Sequence, residues 1–451
     1  MKKRLLSFIL ILTLFCAALP AMKADAASFN INFTPTCESI ELVNLDTNTV
    51  VYSKNATERR EPASITKIMT FIIVSEHIKD LKGTNITVSQ RVVNELLGTG
   101  SSMANIKIGD VLSVYQLLNC MMVPSGNDAA LVLADSVGNG DVSKFVDMMN
   151  QKAKALGCTG THFTNPHGLH DPNHYTTAAD LAKITQYAMS LPYFMQITSQ
   201  TRYVYSPVGG PYTSQKRTLV TTNYMIDKNL MGGKYYYKYA KGIKTGHTDE
   251  SGYCLISSGS ADGYSYLCVA LGAPSVDANG KKVGTRYEML DSAALYRWAL
   301  TSLDMKKVVS SGDTVGEVKL KYAWNKDSLL LAAQKDCSAI FPKDVSVSSV
   351  IVTKNIPKYV TAPVKKGDIV GTATYSYANQ KLATINLVAS ESVDRSELLH
   401  TTDIIKSIFT SVWFIAIFSI IVLLIIAYIV LAIIYNRKKK NLRKVKKYRK
   451  M

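Results

Sequence analysis

The 451-residue chain predicts an α+β fold, an antiparallel sheet with helices, followed by a small all-β domain and a C-terminal transmembrane helix. Three observations lead there. Strand-like alternation near residues 39–53 and 239–273 brackets a series of apolar helical segments. After Asp304 the texture changes to short β-branched runs separated by Gly and Lys turns. Ile408 to Tyr435 is an apolar run of 28 residues without one charge.

Taken in order, residues 1–26 combine a basic start (Lys2, Lys3, Arg4), an apolar stretch from Leu5 to Leu19 and the small-residue site Ala24-Asp25-Ala26. These are the three parts of a secretory signal peptide, with cleavage expected after Ala26 or Ala27. Ser39–Val43 and Val50–Ser53 alternate around Asp46-Thr47-Asn48 and predict an opening hairpin. Pro62-Ala63-Ser64 introduces Ile65 to Leu81, which has no Gly or Pro and is mostly apolar, so its helix must be largely buried. Further helices are expected at Val114–Met121, Asn127–Val137 and Val142–Leu156, the last stopped by Gly157. Thr177-Ala178-Ala179-Asp180 has the pattern of a capping box opening a helix to about Ser190. Tyr239 to Ala273 divides into three strands, and Arg286 to Ser302 predicts a closing helix. The β-rich part shows runs at Thr314–Val318, Ser346–Val352, Ile369–Tyr375 and Ala383–Val388. The domains expected are therefore 27–303, 304–395, a polar connector at 396–407, a transmembrane helix at 408–435 and a tail at 436–451.

The formal charge of +18 suggests an acidic partner until its distribution is seen. Ten basic residues lie in the last fifteen positions and a net +3 in the first 26, leaving about +5 between them, an ordinary balance. No nucleic-acid partner is expected. At 1.5 Å per residue the apolar run exceeds a hydrocarbon core of about 30 Å, so it can span with tilt. The basic tail is then cytoplasmic and the bulk of the chain lies on the extracytoplasmic face of the cell membrane. Six cysteines remain after leader removal, with no CxxC pair and no metal-ligand spacing, so no cofactor or metal is expected. Export permits disulfides, and Cys254 and Cys268, flanking Ser257 to Gly263 as a supposed turn, are either bonded across two strands or free buried thiols.

Three short motifs carry chemistry. Ser64-Ile65-Thr66-Lys67 stands at the start of the apolar helix, where i and i+3 share a face. A lysine in so apolar a helix is costly to bury charged, which makes a neutral Lys67 amine available as base for the Ser64 hydroxyl. The helix start also offers a backbone N–H and a positive dipole end to an oxyanion. Ser125-Gly126-Asn127 follows Pro124 in a turn: Ser125 can relay a proton toward a leaving amine, and the Asn127 amide can hold a substrate carbonyl. Lys244-Thr245-Gly246-His247 lies in an expected strand, Ala240 to Thr248. Alternation places Thr245 and His247 on one face and Lys244 and Gly246 on the other. Thr245 can meet a substrate carboxylate, Gly246 lets a peptide lie close, and Lys244 brings positive charge beneath the cleft. Each motif alone is a common turn, cap or strand end.

Together, spaced 61 and 119 residues apart in an exported chain, they resemble the penicillin-binding serine acyltransferase superfamily. More narrowly, Glu61-Pro62-Ala63-Ser64-Ile65-Thr66-Lys67, Pro124-Ser125-Gly126-Asn127-Asp128-Ala129, Asn165-Pro166-His167-Gly168-Leu169 and Lys244-Thr245-Gly246-His247-Thr248 are similar to the low-molecular-mass D-alanyl-D-alanine carboxypeptidases over residues 30 to 395. The resemblance implies a serine DD-peptidase/β-lactamase-like fold acting on peptidoglycan stem peptides, with Ser64 attacking the penultimate D-Ala carbonyl and β-lactams as covalent inhibitors. It implies an oxyanion hole from the N–H groups of Ser64 and His247, and Arg286 or Arg297 as the carboxylate partner. Tyr235-Tyr236-Tyr237 falls where the family varies and has no assigned role. A class A β-lactamase shares the motifs but needs a glutamate between the second and third, and no Glu stands between Asn127 and Lys244. A catalytically dead penicillin-sensing or wall-binding protein would be expected to have lost one of the reactive side chains, and all are present.

Overall fold

The opening hairpin forms as its alternation requires: β1 (Ser39–Asn44) pairs antiparallel with β2 (Thr49–Lys54). This computed structural model describes residues 29–96, 98–378 and 380–448, so the leader expected at residues 1–26 lies outside the described residues. A 3₁₀ turn at Ala63–Thr66 leads into α1 (Lys67–His77). Its first eight residues, Lys67 to Val74, are all buried, which is why the segment is apolar on every side. The helix ends four residues before the expected Leu81. Ile78 is extended, and Leu81 reaches the core from a turn instead.

Next come β3 (Asn85–Thr87), α2 (Gln90–Asn94), β4 (Val111–Ser113), α3 (Val114–Met122), α4 (Asn127–Val137) and α5 (Val142–Ala155). α6 (Ala178–Met189) and α7 (Phe194–Thr198) complete the helical layer. The Thr177 hydroxyl caps α6 by accepting from the Asp180 N–H, but the capping box expected there is only half made. The Asp180 carboxylate turns away to accept from the Gly160 N–H and the Thr161 hydroxyl. The reciprocal box occurs instead on α3, between Ser113 and Gln116.

β5 (Arg202–Tyr205) and β6 (Arg217–Val220) make a small pair before the three long strands β7 (Ala240–Thr248), β8 (Gly252–Ala261) and β9 (Tyr264–Ala273). The main sheet is antiparallel in the order β2-β1-β9-β8-β7, so β7 is an edge strand. α8 (Tyr287–Ser302) packs on β8 and β9, while α6 contacts β1 and β9 and α7 contacts β7. With helices on both faces the central strands are buried along most of their length, and their sequences are continuously apolar or small rather than alternating.

The hairpin between β8 and β9 turns at Asp262-Gly263, both at positive φ (+51° and +84°), as a two-residue turn requires. Ser257 to Ala261 therefore belong to β8, and Ser257 faces Cys268. Cys254 packs with Ile256 in the main helical core, whereas Cys268 lies by Ser292 of α8. The two thiols leave the sheet on different sides, so they are not bonded to each other.

The chain divides into two compact units. One holds the described residues up to Lys306 with Ser338–Val350 and Ser376–Leu382, and the other holds the remainder. β10 (Leu303–Val309) leads to β11 (Thr314–Lys321), β12 (Ser328–Ala333), β13 (Cys337–Pro342), β14 (Ile351–Asn355), β15 (Tyr359–Thr361), β16 (Ile369–Tyr377) and β17 (Gln380–Ala389). Six of these form a sheet in the order β14-β16-β17-β12-β11-β15, the all-β part anticipated after Asp304. The run expected at Ser346–Val352 is a 3₁₀ turn at Val347–Ser349 followed by β14.

The polar connector is helical: α9 (Glu397–Thr410) is capped by the Ser396 hydroxyl. Its apolar residues fall in pairs, Leu398-Leu399, Ile404-Ile405 and Ile408-Phe409, a pattern masked by the polar ones between them. Ser411, in an extended conformation, breaks the helix before α10 (Val412–Tyr448), so Ile408, Phe409 and Thr410 belong to α9 rather than to the spanning run. Within α10, Val412–Lys439 is long and apolar enough to cross a membrane, and its apolar window is wholly unburied by protein.

Candidate active site

The 3₁₀ turn before α1 sets Ser64 at the helix entrance, partly exposed, one turn from the fully buried Lys67. Two glycines allow other segments to close on this turn. A β-carbon on Gly168, at φ +86°, would lie 1.8 Å from the Ala63 carbonyl oxygen, and one on Gly246 would lie 3.0 Å from that of Pro62 and 3.2 Å from the Ser64 nitrogen. The loop 165–169 and strand β7 thus both lie against the serine.

Lys67 Nζ is 2.8 Å from Ser64 Oγ, 2.6 Å from Asn127 Oδ1 and 2.7 Å from the His167 carbonyl oxygen. The last two partners can only accept hydrogen bonds, and they use both N–H bonds of a neutral amine. The amine's lone pair is then left for the Ser64 O–H. Burial, with the nearby Lys244 charge, holds the Lys67 amine well below its ordinary pKa, and Asp128 opposes this only in part. Asp128 itself is buried in the first turn of α4, where its carboxylate accepts from the N–H groups of Ala104, Ile106 and Ala129 and so anchors the turn carrying Ser125 and Asn127.

Ser125 sits at φ +68°, a left-handed conformation costly for a residue with a side chain. Its hydroxyl accepts from Lys244 Nζ at 2.9 Å, and the same amine donates to the Thr245 carbonyl at 2.8 Å. Burial pushes Lys244 down to about 7. Lys244 and Gly246 thus face the serine turn, as alternation along the strand required. Thr245 Oγ1 meets Thr222 Oγ1 at 2.5 Å.

The His247 ring stacks on Tyr253 at 4.4 Å between centroids, and the Arg286 guanidinium lies 4.0 Å over the same Tyr253 ring. Arg286 is also close enough to help depress the His247 pKa, after burial. Arg297, the alternative, is exposed on α8 near Tyr237. Arg286 is held by Glu288, whose fully buried carboxylate accepts from Nε at 2.7 Å. The Tyr235 hydroxyl accepts from the Arg286 backbone N–H at 3.1 Å, which gives part of the tyrosine cluster a bracing role.

The sequence-based candidates Ser64, Lys67, Ser125 and Asn127 are therefore gathered beside edge strand β7, which carries Lys244, Thr245, Gly246 and His247, and Arg286 at the start of α8 shares the Tyr253 ring with His247. Missed were the His167 carbonyl, Asp128, Thr222, Tyr235 and Glu288. A backbone carbonyl leaves no mark in side-chain identity, but Asp128 and His167 fall within motifs already singled out.

The chain is similar to known proteins over most of its length. The family described as D-alanyl-D-alanine carboxypeptidase matches residues 27–275, and the penicillin-binding protein 5 C-terminal domain matches residues 303–395. The D-alanyl-D-alanine carboxypeptidase DacF of Bacillus subtilis is 29% identical over 395 residues, 87% of this chain and 95% of DacF. A D-alanyl-D-alanine carboxypeptidase from Streptomyces sp. (strain K15) is 32% identical over 241 residues, 52% of this chain and 80% of its own. Among solved structures, penicillin binding protein 5 from Haemophilus influenzae superposes with TM-score 0.63 at 26% identity, covering 81% of this chain and all of that one. The Streptomyces K15 DD-transpeptidase gives TM-score 0.52 at 27% identity over 60% of this chain and 98% of its own.

Proposed function

The chain belongs to the D-alanyl-D-alanine carboxypeptidase family, and we propose how its residues remove the terminal D-Ala of a peptidoglycan stem peptide. The observation that carries the proposal is the Lys67 amine, buried, with two acceptor-only partners and its third contact on Ser64. Lys67 takes the Ser64 proton as Oγ attacks the penultimate D-Ala carbonyl. The N–H groups of Ser64 and His247 receive the oxyanion. Strand β7 ends the described sheet, so an extended peptide can align along its outer edge, and the Asn127 amide holds a substrate carbonyl. Thr245 and Arg286 receive the terminal carboxylate, Glu288 keeping the guanidinium in place. Ser125, hydrogen-bonded to Lys244, relays to the leaving D-Ala amine the proton that Lys67 took from Ser64, and water then hydrolyses the acyl-enzyme ester, releasing the shortened peptide and returning a proton to Ser64 Oγ.

A transpeptidase uses the same acyl-enzyme with an amine in place of water, and the similarity to the Streptomyces K15 DD-transpeptidase makes that reading worth testing. Incubation with a D-Ala-D-Ala pentapeptide and an amine acceptor is expected to yield free D-Ala and tetrapeptide. A predominance of cross-linked dimer would assign the chain to transpeptidation.

With no Glu between Asn127 and Lys244, nothing plays the part of the lactamase glutamate. The penicilloyl-enzyme is therefore expected to persist for minutes or longer, followed as intact mass after removal of free drug. Rapid catalytic turnover of penicillin would contradict this.

We also propose the domain assignment 27–303 for the peptidase and 304–395 for the β-rich domain. The leader directs export, Val412–Lys439 anchors the chain, and the basic tail stays in the cytoplasm. A chain ending at Arg395 is expected to be secreted, soluble and active on small peptides, while the full chain sediments with membranes. If the short form still pellets after a high-salt wash, the single-anchor reading is wrong.

A further inference from the structure

Beside the serine turn lies a second constellation that the peptidase chemistry does not use. Glu61, His170 and Glu250 bring one ligand atom each within 4.8 Å of one another. His170 Nδ1 is 2.9 Å from Glu61 Oε2 and 4.0 Å from Glu250 Oε2. The three come from separate segments, so no spacing motif announces them. Each nevertheless stands three positions from a group of the active site: Glu61 precedes Ser64, His170 follows His167 and Glu250 follows His247.

We propose that Glu61, His170 and Glu250 form a zinc site that ties together the three segments around the active-site serine. Zinc bonds of about 2.0 to 2.2 Å at tetrahedral angles place ligand atoms about 3.4 Å apart, a value bracketed by the two separations seen here. The three side chains are 26% to 47% exposed and so are free to make the small rotations that even out these distances. Two carboxylates and a neutral imidazole balance a divalent charge and leave one position for water, the pattern of an open zinc site rather than a closed structural one. The imidazole nitrogen selects against calcium and magnesium, which prefer all-oxygen shells. In the absence of metal the same groups make an exposed imidazole–carboxylate pair, which by itself is worth little.

The ion's effect is on geometry rather than on bond making. The loop bearing His170 also carries the carbonyl that accepts from Lys67, and the turn bearing Glu250 follows the strand that carries Lys244 and Gly246. A metal bridging them restrains the serine turn, the lysine's acceptor and the edge strand at once. The site stands independently of the peptidase reading, because its occupancy is measured without turnover.

The test is calorimetric titration of zinc chloride into chelator-stripped full chain in detergent, with calcium chloride as comparison. The expected result is one zinc ion per chain with a micromolar or tighter Kd, a raised Tm, and no binding of calcium at the same concentrations. His170→Ala and Glu250→Gln, shown to be folded by circular dichroism, are each expected to weaken binding about tenfold or more. Cobalt substituted into the unaltered chain should show tetrahedral d–d absorption without thiolate charge transfer, a readout that does not depend on any variant folding. Absence of zinc binding, equal binding by the folded His170→Ala chain, or a thiolate band placing the ion on a cysteine would each overturn the proposal.

Discussion

Ser64→Ala is expected to abolish the covalent penicillin adduct and to lower D-Ala release by a factor on the order of 10⁶, the scale on which loss of a serine nucleophile acts in other hydrolases. The reason lies in the turn itself. Ser64 is the partly exposed hydroxyl between buried neighbours Ala63 and Ile65, and it is the one against which the Lys67 amine rests. The fold should survive the change, since the Ser64 side chain carries little of the packing, and a circular dichroism spectrum and Tm close to those of the unaltered chain would show it. Peptide mapping of the labelled protein decides the assignment. An adduct on Ser125, or labelling that persists in Ser64→Ala, would mean that the nucleophile has been misplaced.

Replacing Lys67 has the second largest expected effect. Lys67→Ala removes the base and is expected to slow acylation by a factor on the order of 10⁴. Lys67→Arg should fare little better, because a guanidinium stays protonated and has no lone pair to offer the serine. The same reasoning fixes the sign of the pH dependence. The active form is the neutral amine, so acylation by penicillin should rise with pH through the depressed Lys67 pKa and fall as acid protonates it. Stopped labelling at a series of pH values measures this. Activity retained in Lys67→Arg with an unchanged pH profile would exclude the lysine as base. The neighbouring Lys244, hydrogen-bonded to Ser125, is better suited to remain the charged member of the pair, since its contacts are with a hydroxyl and a carbonyl.

Most of the site was legible because its chemistry is carried by local motifs whose secondary structure was also legible. Ser64 and Lys67 are three apart at one helix start, and Lys244 to His247 occupy an alternating strand whose ends, Ala240 and Thr248, agree with the expectation. The errors have a common origin in information that is not local. The supposed cysteine pair failed because the turn is two residues long, which shifts the register so that Ser257, not Cys254, faces Cys268. The helix from Ile65 stopped at His77 although Leu81 is buried, since burial can be satisfied from a turn as well as from a helix. The connector's helix was not anticipated, because its apolar residues come in separated pairs, Leu398-Leu399, Ile404-Ile405 and Ile408-Phe409, among polar ones. Short elements such as β3, β5 and α7 escaped because three to five residues carry too little periodicity to read.

Residue order alone singles out the groups that can react: a serine and a lysine one helical turn apart, a second serine in a tight turn, and a lysine on a strand. It also carries an export leader pattern and an apolar run long enough to span a bilayer. Those are properties of composition and short-range spacing, which local geometry converts directly into structure. Long-range packing was needed to bury Lys67 beside Lys244 and to choose the acceptors of its N–H bonds, to set Arg286 rather than Arg297 beside His247, and to bring Glu61, His170 and Glu250 together. The Lys67 acceptor and the three converging side chains come from segments far apart in the chain that meet across the edge of one sheet. Such meetings are set by the packing of the whole domain, and no window of sequence contains them.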